Sequence, residues 1–418
     1  MVPEMSNAVP GRKIKVLRII ARLNIGGPAI HVSLLTKGLN PERFTSLLAA
    51  GNLSPHEGDM SYLVDPEAMT LVPIPELQRE ISFSQDIQSL IKLFRLLIKE
   101  KPDIVHTHTA KAGTVGRLAV FLYNALLFKH VKTVHTFHGH VFHDYFSPLK
   151  SWIFQFVEKA LARGTHAIIA ISKTQKQELS ETFRIAPAWK IRQVNLGFDL
   201  SPFLSCSAAR GEFRKKIGVD EDTLLIAVIG RLVPIKNHGM FLDAAKMLAD
   251  RQWEKKLKFL VIGDGELRDS LEAHVKGQGL EEMVRFCGWI QDIHSVFADL
   301  DVLALTSLNE GTPVSIIEAM ASSVPVIAAD AGGVRDLLGP PEEDTQADDG
   351  FTLCERGVLC KINDPEGLSK GLTYLIENMG KGNEARMDRA RAYVTDWYSS
   401  ARLMRTMESL YLELMQHR

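Results

Sequence analysis

Apolar positions along the chain cluster into short runs separated by longer amphipathic stretches. "KIKVLRII", "TSLLAA", "DIVHTH", "VKTVHTF", "HAIIAIS" and "IRQVN" are rich in β-branched residues and too short for helices. "DIQSLIKLFRLLIKE", between the second and third, has helical periodicity, and another helix is expected near Ile30, after the glycine turn "NIGGPA". Strands that are apolar on both faces and alternate with helices predict a parallel sheet covered on both sides. The pattern lapses over "GFDLSPFLSCSAARGEFRKKIG" and then restarts with "TLLIAVIG", "LKFLVIG", "VRFCG", "DVLALT", "VPVIAA" and "GVLCK". This predicts two doubly wound α/β domains that change over between about Leu200 and Gly218. Their ligands are expected in the crevice at the carboxyl ends of the strands.

Composition narrows the function classes. The 418 residues exceed one comfortable core, which supports the two-domain reading. A formal net charge of −1 gives a nucleic-acid partner no global electrostatic support. "MVPEMSNAVPGRK" lacks the apolar core of a signal peptide, and no run is long enough to span a bilayer. Cys206, Cys287, Cys354 and Cys360 show no metal-type pairing, so they read as reduced and mostly buried in a cytoplasmic protein.

The chemistry concentrates where strands give way to helices. In "DVLALTSLNEGTPVSIIEAMA", a strand should end at Ser307 and a helix should begin with Thr312 as its cap and Pro313 in its first turn. The free N–H groups at Val314 and Ser315 then suit an anion. Glu310 before the helix and Glu318 inside it can bracket a long ligand and accept hydrogen bonds from hydroxyls. Either glutamate alone would more commonly be a solvated residue; the helix start between them favours function. In "GRLVPIKNHG", Arg231 and Lys236 also follow a buried strand, where two cations can neutralise a diphosphate, although most such residues are simply surface charges. Gly26 and Gly27 let the backbone approach a phosphate, but neither "NIGGPA" nor "GDGEL" forms a dinucleotide fingerprint. "HTFHGHVFHDYF" contains His135, His138, His140 and His143 beside Asp144. Their spacing matches no common zinc pattern, so hydroxyl or phosphate contacts, or plain structural roles, are expected.

With these pieces in this order, the chain resembles the family-4 retaining glycosyltransferases of the GT-B fold. "EGTPVSIIE" resembles that family's paired-glutamate signature and "GRLVPIK" its diphosphate-binding Arg and Lys, with "GDGEL", "FCGWI" and "NLGFDLSPF" in the family's order. The resemblance runs from about Lys13 to the last helix. It implies two Rossmann-like domains facing a central cleft and a C-terminal helix that crosses back to the first domain. The implied boundaries are a tail at 1–12, an acceptor domain at 13–203 completed by 396–418, and a donor domain at 204–395. It further implies that Glu310 holds the donor sugar, Glu318 the ribose hydroxyls, and Arg231 and Lys236 the diphosphate and leaving group. The backbone of Gly26, Gly27, Gly311, Thr312, Pro313, Val314 and Ser315 would complete the cradle. Trp289 and Ile290 would meet the base, and His138 would lie beside the transferred sugar. The catalytic set would be Glu310, His138, Arg231 and Lys236, with no metal, no cofactor and no assigned general base. The expected partners are a nucleotide-sugar donor, UDP-linked in preference to GDP-linked, and a glycan or lipid-linked acceptor.

The rest of the sequence is less specific. "WYSSARLMRTMESLYLELM" reads as one amphipathic helix with Leu403, Met407, Leu410 and Leu414 on its apolar face. "GPPEEDTQADDG", Gly339 to Gly350, is an acidic insertion expected to be a surface loop. "VFHDYFSPLKSWIFQFVEKALAR" mixes aromatics with cations, as either a core helix or a peripheral membrane contact would. A hydrolysing nucleotide-sugar 2-epimerase shares this fold without the Glu–Arg/Lys arrangement; a non-catalytic nucleotide-sugar sensor would keep the binding residues without turnover.

Overall fold

The computed structural model describes residues 12–24, 26–53, 60, 70–78, 82–138, 148–342, 350–380 and 382–416. His140, His143, Asp144 and most of the acidic insertion lie outside them. The chain divides into two units: Met1–Ile171, Lys176–Val194 and Leu403–Arg418 form the first, and Ser172–Gln175 with Asn195–Arg402 form the second.

The first unit is built on seven strands: β1 (Ile14–Ile20), β2 (Phe44–Ala50), β3 (Thr70–Pro73), β4 (Ile104–His108), β5 (Lys132–Phe137), β6 (Ala167–Ala170) and β7 (Ile191–Gln193). All pair in parallel, in the order β3-β2-β1-β4-β5-β6-β7. Helices α1 (Gly27–Gly38), α2 (Phe83–Glu100), α3 (Ala110–Leu127) and α4 (Pro148–Gly164) provide crossovers. Side-chain alternation divides the sheet. Leu17, Ile19 and Val105 point toward Leu93 and Leu97 of α2 and Ala119 of α3, while Ala162 of α4 packs on Ile168 and Ala170. On the opposite face, Val16, Ile104 and Val134 pack with Leu35 of α1 and with Leu403 and Met407 near the C-terminus.

The second unit repeats this plan with β8 (Thr223–Ile229), β9 (Lys256–Ile262), β10 (Val284–Gly288), β11 (Val302–Leu305), β12 (Val326–Ala329), β13 (Phe351–Cys354) and β14 (Gly357–Cys360). Their order is β10-β9-β8-β11-β12-β14-β13. Helix α5 (His238–Ala249) packs into the core through Phe241 and Leu248. Helix α6 (Val314–Ala321) buries Ile316, Ile317 and Met320, as its apolar stripe predicts. All four cysteines are free, and only Cys287 is more than marginally accessible.

Several local expectations need correction. β3 and β13 carry no apolar run. β3 is a largely exposed edge strand ending in Pro73, and β13 folds back antiparallel on β14 through Glu355 and Arg356. α1 begins at Gly27 rather than near Ile30, because Gly26 takes the cap and Pro28 fits the first turn. Thr312 is not the cap of α6. Pro313 takes that place with φ −71° and ψ 118°, an extended conformation outside the helix. With that ψ the proline cannot be the first helical residue, so the helix starts one residue later. The C-terminal pattern is also not one helix. α7 (Asn383–Tyr398) and α8 (Ser400–Gln416) are separated at Ser399, whose extended backbone bridges to Phe198. The Phe198 N–H donates to Tyr398 O, and Ser400 N–H donates to Phe198 O, both at 2.8 Å.

α8 docks on the first sheet through polar groups as well as apolar ones. Fully buried Arg18 donates to Ser46 Oγ at 3.0 Å and to Tyr411 Oη at 3.4 Å. The His106 ring bonds Tyr411 Oη and Thr136 Oγ1, each at 2.7 Å. A buried guanidinium and imidazole left without such partners are costly. Tyr411→Phe keeps the ring and loses the hydroxyl, and should destabilise the first unit by about 1–3 kcal/mol. A lower urea midpoint would show it; an unchanged midpoint would mean the network does not hold α8 in place.

Candidate active site

In the second sheet the chain steps outward from β8 to β9 and β10, then returns to the other side of β8 with β11. β8 and β11 therefore flank the point where strand order reverses, the usual ligand crevice of an open parallel sheet. The four strands β8–β11 end at Ile229, Ile262, Gly288 and Leu305. Arg231, the "GDG" turn, Trp289 and Glu310 follow them on one edge.

Two tight structures shape that edge. A turn of 3₁₀ helix, Pro234–Lys236, is held against the segment after β11: Leu308 N–H donates to Ile235 O at 2.9 Å, and Thr306 Oγ1 donates to Lys236 O at 3.0 Å. Lys236 Nζ consequently reaches Glu310 Oε1 at 2.5 Å, and Ser307 Oγ donates to the same oxygen at 2.6 Å. Behind Glu310 stand two glycines whose lack of a side chain matters. A Cβ at Gly332, which has φ +56°, would lie 2.1 Å from Glu310 O, and one at Gly333 would lie 1.8 Å from Gly311 O. Gly333 N–H also donates to Glu310 O at 3.0 Å. The loop that presents Glu310 thus rests on bare backbone.

The remaining predicted residues of this unit separate into satisfied and unsatisfied groups. Arg231 is exposed and forms no ion pair among the described residues. Trp289 is 47% exposed, after Gly288 with φ +68°. Gly311, Thr312 and Pro313 are buried; Val314 and Ser315 are partly so and lead α6, whose first N–H groups have no intrahelical acceptor. Glu318 is half-buried, and its carboxylate has no hydrogen-bond or ionic partner among the described residues. Removal from water, with no cation to compensate, pushes its carboxyl pKa up to about 8. His238, buried at the start of α5, is lowered to about 4 by burial and, secondarily, by Lys236.

The first unit has a corresponding reversal between β1 and β4. Gly26, at φ +153°, caps α1, and Gly27 opens it. His31 of α1, His108 at the end of β4 and His138 just after β5 converge. His108 Nδ1 and His138 Nε2 are 3.0 Å apart, and the His31 and His138 rings are edge-on with centroids 5.2 Å apart. Burial lowers His138 to about 3 and takes His106, His108 and His135 well below the ordinary histidine value. These rings are neutral at physiological pH, with hydrogen bonding rather than charge to offer. One ring nitrogen from each of His31, His108 and His138 lies within 4.8 Å of the others, a spacing at which three imidazoles could hold a metal ion. His135 is structural: it is 1% exposed and bonds Thr107 Oγ1 at 2.9 Å.

Sequence reasoning overlooked His31, His108, Ser307 and the Gly332–Gly333 pair. His108 carried a signal: "DIVHTH" places the rings of His106 and His108 on one face of a strand otherwise made for burial.

Two doubly wound sheets, the second with a cation–carboxylate pair at its strand-order reversal and the first with a histidine trio at its own, have the architecture of a GT-B nucleotide-sugar enzyme. Residues 25–202 match the family described as Glycosyltransferase Family 4, and residues 209–393 match Glycosyl transferases group 1. The chain is 28% identical over 344 residues to the UDP-Gal:alpha-D-GlcNAc-diphosphoundecaprenol alpha-1,3-galactosyltransferase of Escherichia coli, covering 82% of this chain and 83% of that protein. It is 25% identical to the capsular polysaccharide biosynthesis glycosyltransferase CapM of Staphylococcus aureus, covering 83% and 85%. Anabaena HepE, solved with UDP, has the same fold, with a TM-score of 0.76 at 21% identity over 96% of this chain and 100% of that one. The chain belongs to the family-4 glycosyltransferases, and it is a hexosyltransferase-type enzyme that uses a nucleotide-sugar donor.

The unpartnered Glu318 carboxyl leads to a pH test of the ligand-free protein. An unfolded glutamate titrates near 4.5 and the folded one near 8, so between these values the folded state binds the extra proton. Stability should therefore fall as pH rises through this window. Glu318→Gln removes the titration, so the variant's melting temperature relative to wild type should be several degrees higher at pH 8.5 than at pH 5. A pH-independent difference would show that Glu318 has a counter-charge in solution.

Proposed function

We propose that the chain transfers a hexose with retention of configuration from a UDP-sugar to a hydroxyl of a glycan or lipid-linked acceptor, in assembly of a cell-surface polysaccharide. The observation that carries this reading is the Lys236–Glu310 pair at the strand-order reversal, beside exposed Arg231 and the free N–H groups of α6. In the free protein Lys236 and Glu310 neutralise each other. An arriving diphosphate competes for the Lys236 ammonium, with Arg231 and the helix start supplying further donors. Glu310, still held by Ser307, is then released to accept hydrogen bonds from the sugar, while Glu318 accepts from the ribose hydroxyls. The C1–O bond to the phosphate breaks, and the acceptor oxygen bonds C1 on the same face. The acceptor proton passes to the departing phosphate, whose charge Arg231 and Lys236 stabilise. His138, neutral at physiological pH, has hydrogen bonding and no proton chemistry to offer. The names of the E. coli and S. aureus relatives support a UDP donor and a polysaccharide product, with a GDP-sugar as the competing donor.

Calorimetric titration of UDP and GDP with the intact enzyme tests the donor site. Arg231→Ala should weaken the diphosphate by about 1.5–3 kcal/mol, the loss of a charge-assisted contact. Glu318→Gln should weaken the bare diphosphate and the nucleotide sugar alike. Glu310→Gln should bind the bare diphosphate at least as tightly as wild type, because Lys236 is released, yet turn over the sugar donor more slowly. If Glu310→Gln weakens the diphosphate as much as Glu318→Gln does, the two glutamates do not divide the donor between them.

The reaction is proposed to need no metal and no cofactor. Turnover should be unchanged by excess EDTA after dialysis. Loss of turnover that a divalent ion restores, and that His31→Ala prevents from being restored, would instead assign a metal to the histidine trio.

A further inference from the structure

The layer formed by α2, α3 and α4 presents more apolar surface to solvent than its packing on the sheet requires. α2 has two apolar faces: Leu93 and Leu97 are buried against the sheet, while Phe83 and Ile91 are exposed on the other side. A surface helix ordinarily has one such face. α3 likewise buries Ala119 and Val120 yet exposes Phe121 and, at its cap, Phe128, which is 86% exposed. On α4, Trp152 and Phe156 stack in solvent with ring centroids 6.0 Å apart. Twelve of the eighteen exposed large apolar side chains among the described residues lie on these three helices or the α3 cap.

Ion pairs weld the layer into one surface and leave it positively charged. Asp86 of α2 meets Lys111 of α3 at 2.7 Å, and Glu158 of α4 meets Arg117 of α3 at 2.7 Å in full burial. Glu100 is taken up by Lys15 at 3.1 Å. Every carboxylate among the described residues of these helices is therefore paired and shielded. Arg95, Lys101, Lys129 and Arg163, on these helices or just beyond their ends, remain exposed. Among the described residues no helix is long and apolar enough to cross a membrane.

We propose that the outer faces of α2, α3 and α4 dock the protein on an anionic lipid bilayer, with the exposed aromatics entering the interface and the surrounding cations meeting lipid phosphates. A protein partner would be expected to offer complementary carboxylates or a matched concavity; a bilayer needs only apolar depth and negative charge, which is what this surface complements. The inference rests on the transferase reading only for its purpose, because a lipid-linked acceptor would be reached at such a surface.

The test is sedimentation of the full-length protein with vesicles of phosphatidylcholine, alone or with about 30% phosphatidylglycerol. Wild type should partition to the phosphatidylglycerol vesicles at least tenfold more strongly than to phosphatidylcholine alone, and about 0.5 M salt should weaken this binding. Trp152→Ser combined with Phe156→Ser, and separately Arg95→Glu combined with Lys129→Glu, should each reduce partitioning tenfold or more with UDP affinity unchanged. These side chains are exposed, so the variants should fold; an unchanged melting temperature checks this. No binding by wild type, or equal binding by both variants, overturns the proposal. So does a wild-type dimer in dilute solution that the Trp152→Ser/Phe156→Ser variant makes monomeric, since the face would then be a subunit contact. Vesicle binding by a protein with no transferase turnover leaves the docking surface standing and sinks the proposed function instead.

Discussion

Parallel strands can follow one another only if the chain crosses back over the sheet between them, and this forces every strand to end on the same edge. The constraint operates in both units and accounts for where their chemistry lies. Residues as distant in sequence as Arg231, Trp289 and Glu310 share an edge because β8, β10 and β11 run in one direction. The reversal of strand order leaves β8 and β11 side by side with their crossovers diverging, and the site occupies the opening. The same arithmetic at β1 and β4 gathers His31, His108 and His138 in the first unit. Gly332 and Gly333 belong to this logic as well: the loop after β12 must pass beneath the one after β11, and only bare backbone fits there.

Within that frame, the pairing of Lys236 with Glu310 determines what the unliganded enzyme is like. Two opposite charges, partly withdrawn from water, satisfy each other and spare the protein an isolated buried charge. Glu318 has no such relief, and its carboxyl is strained toward the neutral form. The two carboxylates of one signature thus rest in opposite states: one paired and held, the other unpartnered. Under the proposed donor binding, a ligand would compete with the first and satisfy the second, so donor affinity would reflect both a bond exchanged and a strain relieved.

Much of this was legible in the sequence, for reasons that vary by element. "TLLIAVIG" and "DVLALT" read as strands because central strands of a covered parallel sheet are buried on both faces. β3 and β13 were illegible because edge strands need no such run. Arg231, Lys236, Glu310 and Glu318 were legible as residue types at strand–helix junctions. The Lys236–Glu310 bond was not, since its partners are 74 positions apart and only the pairing of β8 with β11 brings them together. The histidine trio was hidden in the same way, each ring arriving from a different crossover. The start of α6 was misplaced by one residue because a proline suits both the cap and the first turn, and only its ψ angle decides between them.

The return of the chain to its first unit has a consequence for biosynthesis. The polypeptide leaves that unit after Val194 and re-enters it at Leu403, with almost all of the second unit between. A ribosome therefore delivers a complete second unit before it delivers α8. Until Tyr411 emerges, Arg18 and His106 face an uncovered sheet with their shared hydroxyl missing. The unit made first is thus finished last, and a nascent chain halted between Arg402 and Tyr411 holds an intact second unit joined to a first unit that has not closed. A chaperone or protease that surveys this protein during synthesis would meet its exposed core at the amino-terminal half, long after that half has left the ribosome.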